Sequence, residues 1–232
     1  MHSNKYIFIY SSVMVIIVAV ALTIIAVQLK PAQENNIRIE RMQNILAAAN
    51  IPSTVKDAET LYKKHVTKDL VVNSKGDVIT AIKAFEVNLE IENKLPADKR
   101  ALPIFICSLD NGTQNYVVPI RGKGLWGPVW GYIAFKPDFN TITGSVFDHK
   151  SETPGLGAEI NTSTFQAQFK GKQIFDETRN YVSVKTIKGG AQKDDLHGVD
   201  AISGGTLTSN GVNNMLQDGL SLYVEYFKKQ TK

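Results

Sequence analysis

The chain has 232 residues, 43% of them hydrophobic and 21% charged, with 26 Lys and Arg against 22 Asp and Glu and a net charge of +4. This length holds one domain of ordinary size with a remainder, and its basic residues are scattered among acids rather than gathered in a stripe with aromatics, which excludes a nucleic-acid face. The lone cysteine, Cys107, rules out an intrachain disulfide, a cysteine-ligated zinc site and an all-cysteine iron–sulfur cluster, and reads as a buried core thiol.

Residues 6–29 carry no charge and are bounded by Lys5 and Lys30. About 20 apolar residues cross a bilayer core, so this segment reads as one membrane-spanning helix. The competing reading is a cleaved signal peptide, because Ala19, Val20 and Ala21 mimic a cleavage site; cutting there leaves residues 22–27 as an apolar new terminus, which favours a retained anchor. Lys5 on one side faces Lys30, Arg38 and Arg41 on the other, and charge alone leaves the orientation open. Residues 36–50 space Ile37, Met42, Ile45, Leu46 and Ala49 as a helix that Pro52 stops. The expected division is an anchor over 1–30, a connecting helix over 31–54 and a domain over 55–232.

Within that domain, residues 55–66 predict a short helix. Residues 70–72 and 78–82 predict a hairpin closed by Asn73, Gly76 and Asp77, and 90–100 an exposed loop. Apolar runs 103–109 and 116–120 flank a turn at Asp110, Asn111 and Gly112, and runs 130–135 and 142–147 flank another at Pro137, Asp138 and Asn140. Connections this short imply antiparallel pairing. A helical turn is expected over 165–169, a strand over 181–187 and a polar loop over 188–197. From Gly211, Val212, Met215, Leu216, Leu220, Tyr223 and Phe227 recur with helical period, with Ser209 or Asn210 as N-cap. The class is α+β, a mainly antiparallel sheet with flanking helices behind one N-terminal transmembrane helix.

The segment 200–209, DAISGGTLTS, sets hydroxyls and two glycines before that helix. Thr206 and Thr208 fall within about a turn of its N-terminus, where free N–H groups and the dipole favour an anion. Gly204 and Gly205 permit close approach, and Asp200 is suited to tie down backbone N–H groups. A second segment, SETPGLGAE over 151–159, is a rigid turn. Thr153 and backbone N–H groups suit the polar edge of a flat ring, and Leu156 its apolar face; a plain turn between strands is the alternative. Gly122 and Gly124 lead to Trp126, positioned to stack on a ring or to fill core, whereas Trp130 reads as core. Arg121 and Lys123 suit a phosphate or ring carbonyls, or simply solvent. His149 and Glu152, with Asp195 and His197, match no metal-ligand motif. Ala201 before Ser203 breaks the nucleophile-elbow pattern, and no dinucleotide or Walker pattern occurs.

The motif Asp200, Ala201, Ile202, Ser203, Gly204, Gly205, Thr206 resembles the signature of the C-subunit family of the sodium-translocating NADH:quinone oxidoreductase: Asp, two variable residues, Ser or Thr, Gly, Ala, Thr. Segments 149–159, 122–135 and 4–20 are also similar to that family. The resemblance implies FMN joined covalently by a phosphoester to Thr206. It further implies Asp200, Ser203, Gly204, Gly205, Leu207 and Thr208 around the phosphate, and Thr153, Leu156, Gly157 and Trp126 around the ring. It implies a single-pass protein of the bacterial inner membrane with the FMN domain on the outer, periplasmic side. The implied partners are the other subunits of the complex and a flavin transferase. Gly205 stands where the family pattern has alanine, and the missing methyl is expected to loosen the loop by about 0.5–1 kcal/mol. Two other readings stand beside this one: the G subunit of the related ion-translocating ferredoxin:NAD oxidoreductase, and a membrane-tethered binding module without cofactor.

Overall fold

The structure, a computed structural model, describes residues 3–231; residues 1–2 and 232, the outer ends of the expected anchor and domain, lie outside them. The chain forms two compact units, one ending at Arg41 and one beginning at Met42. Helix α1 (Asn4–Ala48) runs without a break where the sequence predicts a span and a separate helix. Pro31 lies inside it, in a stretch where the side chains are exposed and no neighbour enforces a stop. Its first part is long and apolar enough to cross a membrane, with an 18-residue window of mean hydropathy 2.7 and none of that window buried. Within this stretch the Thr23 hydroxyl donates to the Ala19 carbonyl at 2.7 Å, which meets its hydrogen-bonding need within the helix.

The second unit is built on a six-stranded sheet of order β2-β1-β3-β4-β5-β6. The strands are β1 (Val66–Val72), β2 (Val78–Ile79), β3 (Leu102–Ser108), β4 (Gln114–Lys123), β5 (Pro128–Phe135) and β6 (Ile142–His149), every pair antiparallel as expected. The short helix α2 (Ala58–His65) precedes β1, and α3 (Leu89–Glu92) forms a turn of helix where a plain loop is expected, its Asn88 cap accepting from Glu90 N–H at 2.9 Å.

Alternation along the strands divides the core in two. Ile104, Val118 and Ile133 face one cluster, and Phe105, Val117 and Ala134 the other. Because both faces are covered, β3 and β5 read as nearly continuous apolar runs instead of alternating with polar residues. Residues Ile45, Leu46, Ala48 and Ala49 cover the second face. The helix end is capped by Asn50 in the left-handed region, φ 64°, and Asn115 donates to the Ala49 carbonyl at 3.2 Å.

The first face is covered by α5 (Thr206–Ser221) and α6 (Val224–Gln230), preceded in chain order by α4 (Ser163–Ala167). A single helix through Phe227 is expected, but the helix breaks at Leu222 and Tyr223. The reason lies in the sheet: Pro103 and Pro119 cannot donate to the ladder between β3 and β4, whose pairing ends at Phe105 and Val117. The buried Tyr223 hydroxyl approaches both proline carbonyls at 3.2 Å and takes over that gap.

The strand expected over 181–187 shortens to β7 (Lys185–Ile187), paired parallel to β8 (Gly198–Asp200). Ser183 adopts φ 61° and breaks the extended run, while Val182 and Ser183 N–H both donate to the Ile174 carbonyl. Cys107 is fully buried on β3, and burial pushes its thiol up to about 12. Iodoacetamide is therefore expected to leave the folded chain unlabelled at mildly alkaline pH and to add one label in guanidinium, as read by intact mass.

Candidate functional site

Helix α5 begins at Thr206, five residues before the expected Gly211, because Ser209 N–H donates to the Gly205 carbonyl at 2.8 Å and carries the helix back to that point. Ser209 is thus not the N-cap. Its buried hydroxyl accepts from Ile202 N–H at 3.0 Å and pins the preceding loop. Gly205 occupies the cap position, and no side chain caps the first turn. The N–H groups at the start of α5 therefore remain available to an anion.

This arrangement sorts four neighbouring hydroxyls. Thr208 and Ser209 are buried and engaged, whereas Ser203 and Thr206 are exposed. Thr206 and Ser203 line a cleft of about 510 Å³ with Lys188, Gly189, Gly190 and Asp200, a volume in the range of small-molecule sites. Gly189 and Gly190 hold φ of 87° and 103°, which side-chain-bearing residues rarely adopt. Asp200 Oδ1 accepts from Ala191 N–H at 2.7 Å. It does tie down a loop, but the one carrying Lys188 rather than its own. The loop 188–197 gives no local sign of this role; the parallel pairing of β7 with β8 brings it beside Thr206. A larger, more apolar cleft of about 620 Å³ beside Asn50, Pro137 and Lys170 includes none of the residues predicted for the site.

The SETPGLGAE turn lies against the same loop. Leu156 and Ala158 N–H both donate to the Thr153 carbonyl at 3.1 Å, so Thr153 shapes the turn through its backbone. A methyl on Gly204, which has φ 73°, would come 2.7 Å from Leu156 Cδ2, and one on Gly157 would overlap Thr208 Oγ1. Leu156 itself is 42% exposed. The third segment closes with Gly124 N–H donating to the Gly127 carbonyl at 2.8 Å and leaves Trp126 65% exposed. Leu125 and Leu207 are exposed as well. Trp126, Leu156 and Leu207 thus stand out from three glycine-bearing segments, as the apolar cover of a flat ring requires.

Glu152 connects these segments and was missed as a site residue in the sequence. It is 4% exposed, and its two oxygens accept from Trp126 N–H at 2.9 Å and from the Thr208 hydroxyl at 2.5 Å. His149, weighed as a metal ligand with it, instead accepts Glu152 N–H at Nδ1, at 3.1 Å. His197 and Asp195 are spent locally: His197 Nδ1 lies 2.7 Å from the Gln173 carbonyl, and Asp195 accepts His197 N–H at 2.7 Å. Arg121 is drawn away from the cleft, paired with Glu90 at 3.1 Å and placed over Trp130 at 5.7 Å. Trp130 is half-buried beneath it.

Gly205 has φ −103°, so its backbone does not require glycine. The expectation that the absent methyl merely loosens the loop changes here, because a Cβ would come 2.9 Å from Ile202 Cγ2. Ile202 is β-branched, partly buried and packed against the core, so making room costs a shift of its side chain or of the loop. Gly205→Ala is therefore expected to destabilise the chain by about 1 kcal/mol or more, measurable as a lowered urea midpoint at unchanged m-value.

Bare N–H groups, glycines that a Cβ would block and a lysine in the cleft fit the phosphate of FMN, and the exposed apolar groups fit its ring. Residues 124–221 match the family model described as "FMN-binding domain". That span takes in the 151–159 and 200–209 segments, the Trp126 loop from Gly124 onward and the whole of α5, so the chain is a flavin-binding protein by class. Among its relatives, the C subunit of the Na(+)-translocating NADH-quinone reductase from Pasteurella multocida is 36% identical, covering 86% of this chain and 85% of its own length. The crystal structure of the C subunit from Parabacteroides distasonis superposes with TM-score 0.78 at 37% identity, over 86% of this chain and 96% of that one. That of Shewanella oneidensis NqrC does so with TM-score 0.73 at 30% identity, over 83% and 97%. The chain belongs to the C-subunit family of the Na(+)-translocating NADH-quinone reductase.

Proposed function

We propose that this chain carries FMN as a phosphoester on Thr206 and passes electrons within a sodium-translocating NADH:quinone reductase. The observation that supports it most is the exposed Thr206 hydroxyl at the first position of α5, in the cleft with Lys188 and beside uncapped N–H groups. Condensing the Thr206 hydroxyl with the FMN phosphate forms the Oγ1–P bond, breaks one P–O bond of the phosphate, releases one water overall and leaves a phosphodiester anion. The N–H groups of α5 and the Lys188 ammonium stabilise that charge. Asp200 holds the Lys188 loop in place, while Ser203, Gly204 and Gly205 let the backbone approach the phosphate. Leu156, Leu207 and Trp126 exclude water from the ring, with Thr153 and Gly157 shaping the turn beneath it. When bound, FMN supplies the electron-carrying ring.

Residues 1–30 serve as the anchor, 31–54 as a connecting helix whose last turns join the domain core, and 55–232 as the FMN-binding domain. The apolar, uncovered first part of α1 supports a single-pass protein of the bacterial inner membrane. We place the FMN domain on the outer, periplasmic side, where a covalent tether retains a cofactor that could not be replaced from the cytoplasm. The partners are the other subunits of the complex and a flavin transferase. The test is co-expression of the full-length chain with a flavin transferase, followed by denaturation, in-gel flavin fluorescence and intact mass. The expected result is a gain of one FMN less one water, mapped to the peptide containing Thr206. An unmodified mass, or a label on another peptide, would reject the proposal.

A further inference from the structure

Glu152 is the one buried carboxylate among the described residues. Its charge is costly in such a place unless hydrogen bonds meet it, and here both oxygens are met by donors from two other site segments: Trp126 N–H on Oε1 at 2.9 Å and the Thr208 hydroxyl on Oε2 at 2.5 Å. The packing is just as close. A Cβ on Gly124 would stand 2.5 Å from Oε1, and one on Gly157 2.7 Å from Oε2. On the other side, Glu152 N–H donates to His149 Nδ1 at 3.1 Å, which directs the chain as it leaves β6.

We infer that Glu152 is a positioning residue for the flavin site: one carboxylate clamps the Trp126 loop and the first turn of α5 to the SETPGLGAE turn. The inference rests on the reading of these segments as a flavin site. Through Thr208, two residues beyond Thr206, the clamp fixes the direction of the first N–H groups of α5 and of the Thr206 hydroxyl. Through Trp126 N–H it fixes an exposed indole that no core packing holds. Glu152→Gln retains an acceptor for Trp126 N–H and turns an amide toward Thr208, whose hydroxyl can rotate to accept. Glu152→Ala strands both donors, one of them on a residue 1% exposed.

The experiment uses the full-length chain in a Trp130→Phe background, in which Trp126 is the sole indole. In the chain without flavin, Glu152→Ala is expected to lower the Trp126 fluorescence anisotropy at unchanged far-ultraviolet circular dichroism, and Glu152→Gln to restore it. With the flavin transferase co-expressed, the fraction of Glu152→Ala carrying FMN by intact mass is expected to fall by about tenfold or more, as small misplacements of a reacting group do, with Gln again restoring it. Should Glu152→Ala fail to fold, Thr208→Val cuts the α5 half of the clamp and takes its place in the flavin-loading measurement, where undiminished loading overturns the inference. Wild-type anisotropy in Glu152→Ala overturns it likewise. A parent chain that never takes up flavin sinks the covalent reading instead, and the anisotropy comparison still decides the role of Glu152.

Discussion

Thr206→Val is expected to abolish covalent flavin completely while leaving the fold intact. The residue is exposed at the first position of α5 and contributes no cap, so its replacement should change stability by no more than about 0.5 kcal/mol. Valine matches threonine in shape and branching, and the lost oxygen is the only chemical difference that matters. Intact mass after co-expression with the transferase should equal that of the bare chain, with no fluorescent band on a denaturing gel. Thr206→Ser keeps the nucleophilic oxygen and is expected to retain part of the loading. The nearby hydroxyls make the comparison sharp: Ser203 is exposed and in the same cleft, so a label that moves to Ser203 in the valine variant would show that the cleft, and not the position on the helix, selects the acceptor.

The largest loss of stability should come from Phe227→Ala, about 3–5 kcal/mol. Phe227 is fully buried on α6, and its ring lies 5.2 Å from that of Phe135 on β5 and 5.3 Å from that of Phe139. Phe139 sits in the turn between β5 and β6 with φ 51°, a conformation that surrounding packing must hold. Truncation therefore opens a cavity and frees a strained turn together. For a chain of this size the melting temperature should fall by about 10 °C or more. A fall of only a degree or two would mean that α6 frays from the sheet and contributes little to the fold.

The antiparallel sheet was legible because each pair of apolar runs encloses a short cluster of turn formers, as Asp110, Asn111 and Gly112 do between β3 and β4. Burial of both sheet faces strengthened those runs. Other features were not legible, four of them bearing on the core and the site. The parallel pairing of β7 and β8 depends on Ser183 breaking an otherwise regular strand. The split between α5 and α6 depends on two prolines in strands distant in sequence. The start of α5 was misjudged because Ser209 looks like a cap and is used as a pin. Glu152 reads from the sequence only as a metal-ligand candidate beside His149, because the hydroxyl that meets its buried carboxylate lies 56 residues away. At the site, the chemically obvious residues, hydroxyls and glycines, were legible from their own segments. The residues that organise them, Glu152 and Lys188, come together only through the tertiary fold.

The sorting of the four hydroxyls carries an implication for how the protein matures. In an extended chain, Ser203, Thr206, Thr208 and Ser209 are four alcohols within seven residues, all open to a modifying enzyme. Folding removes Thr208 to the carboxylate of Glu152 and Ser209 to the loop backbone before any choice among them need be made. Under the proposed attachment, selectivity comes from the order of events: the domain folds first and the flavin arrives second. Under the proposed placement of the domain outside the membrane, a pool of folded, flavin-free domains would then await the cofactor.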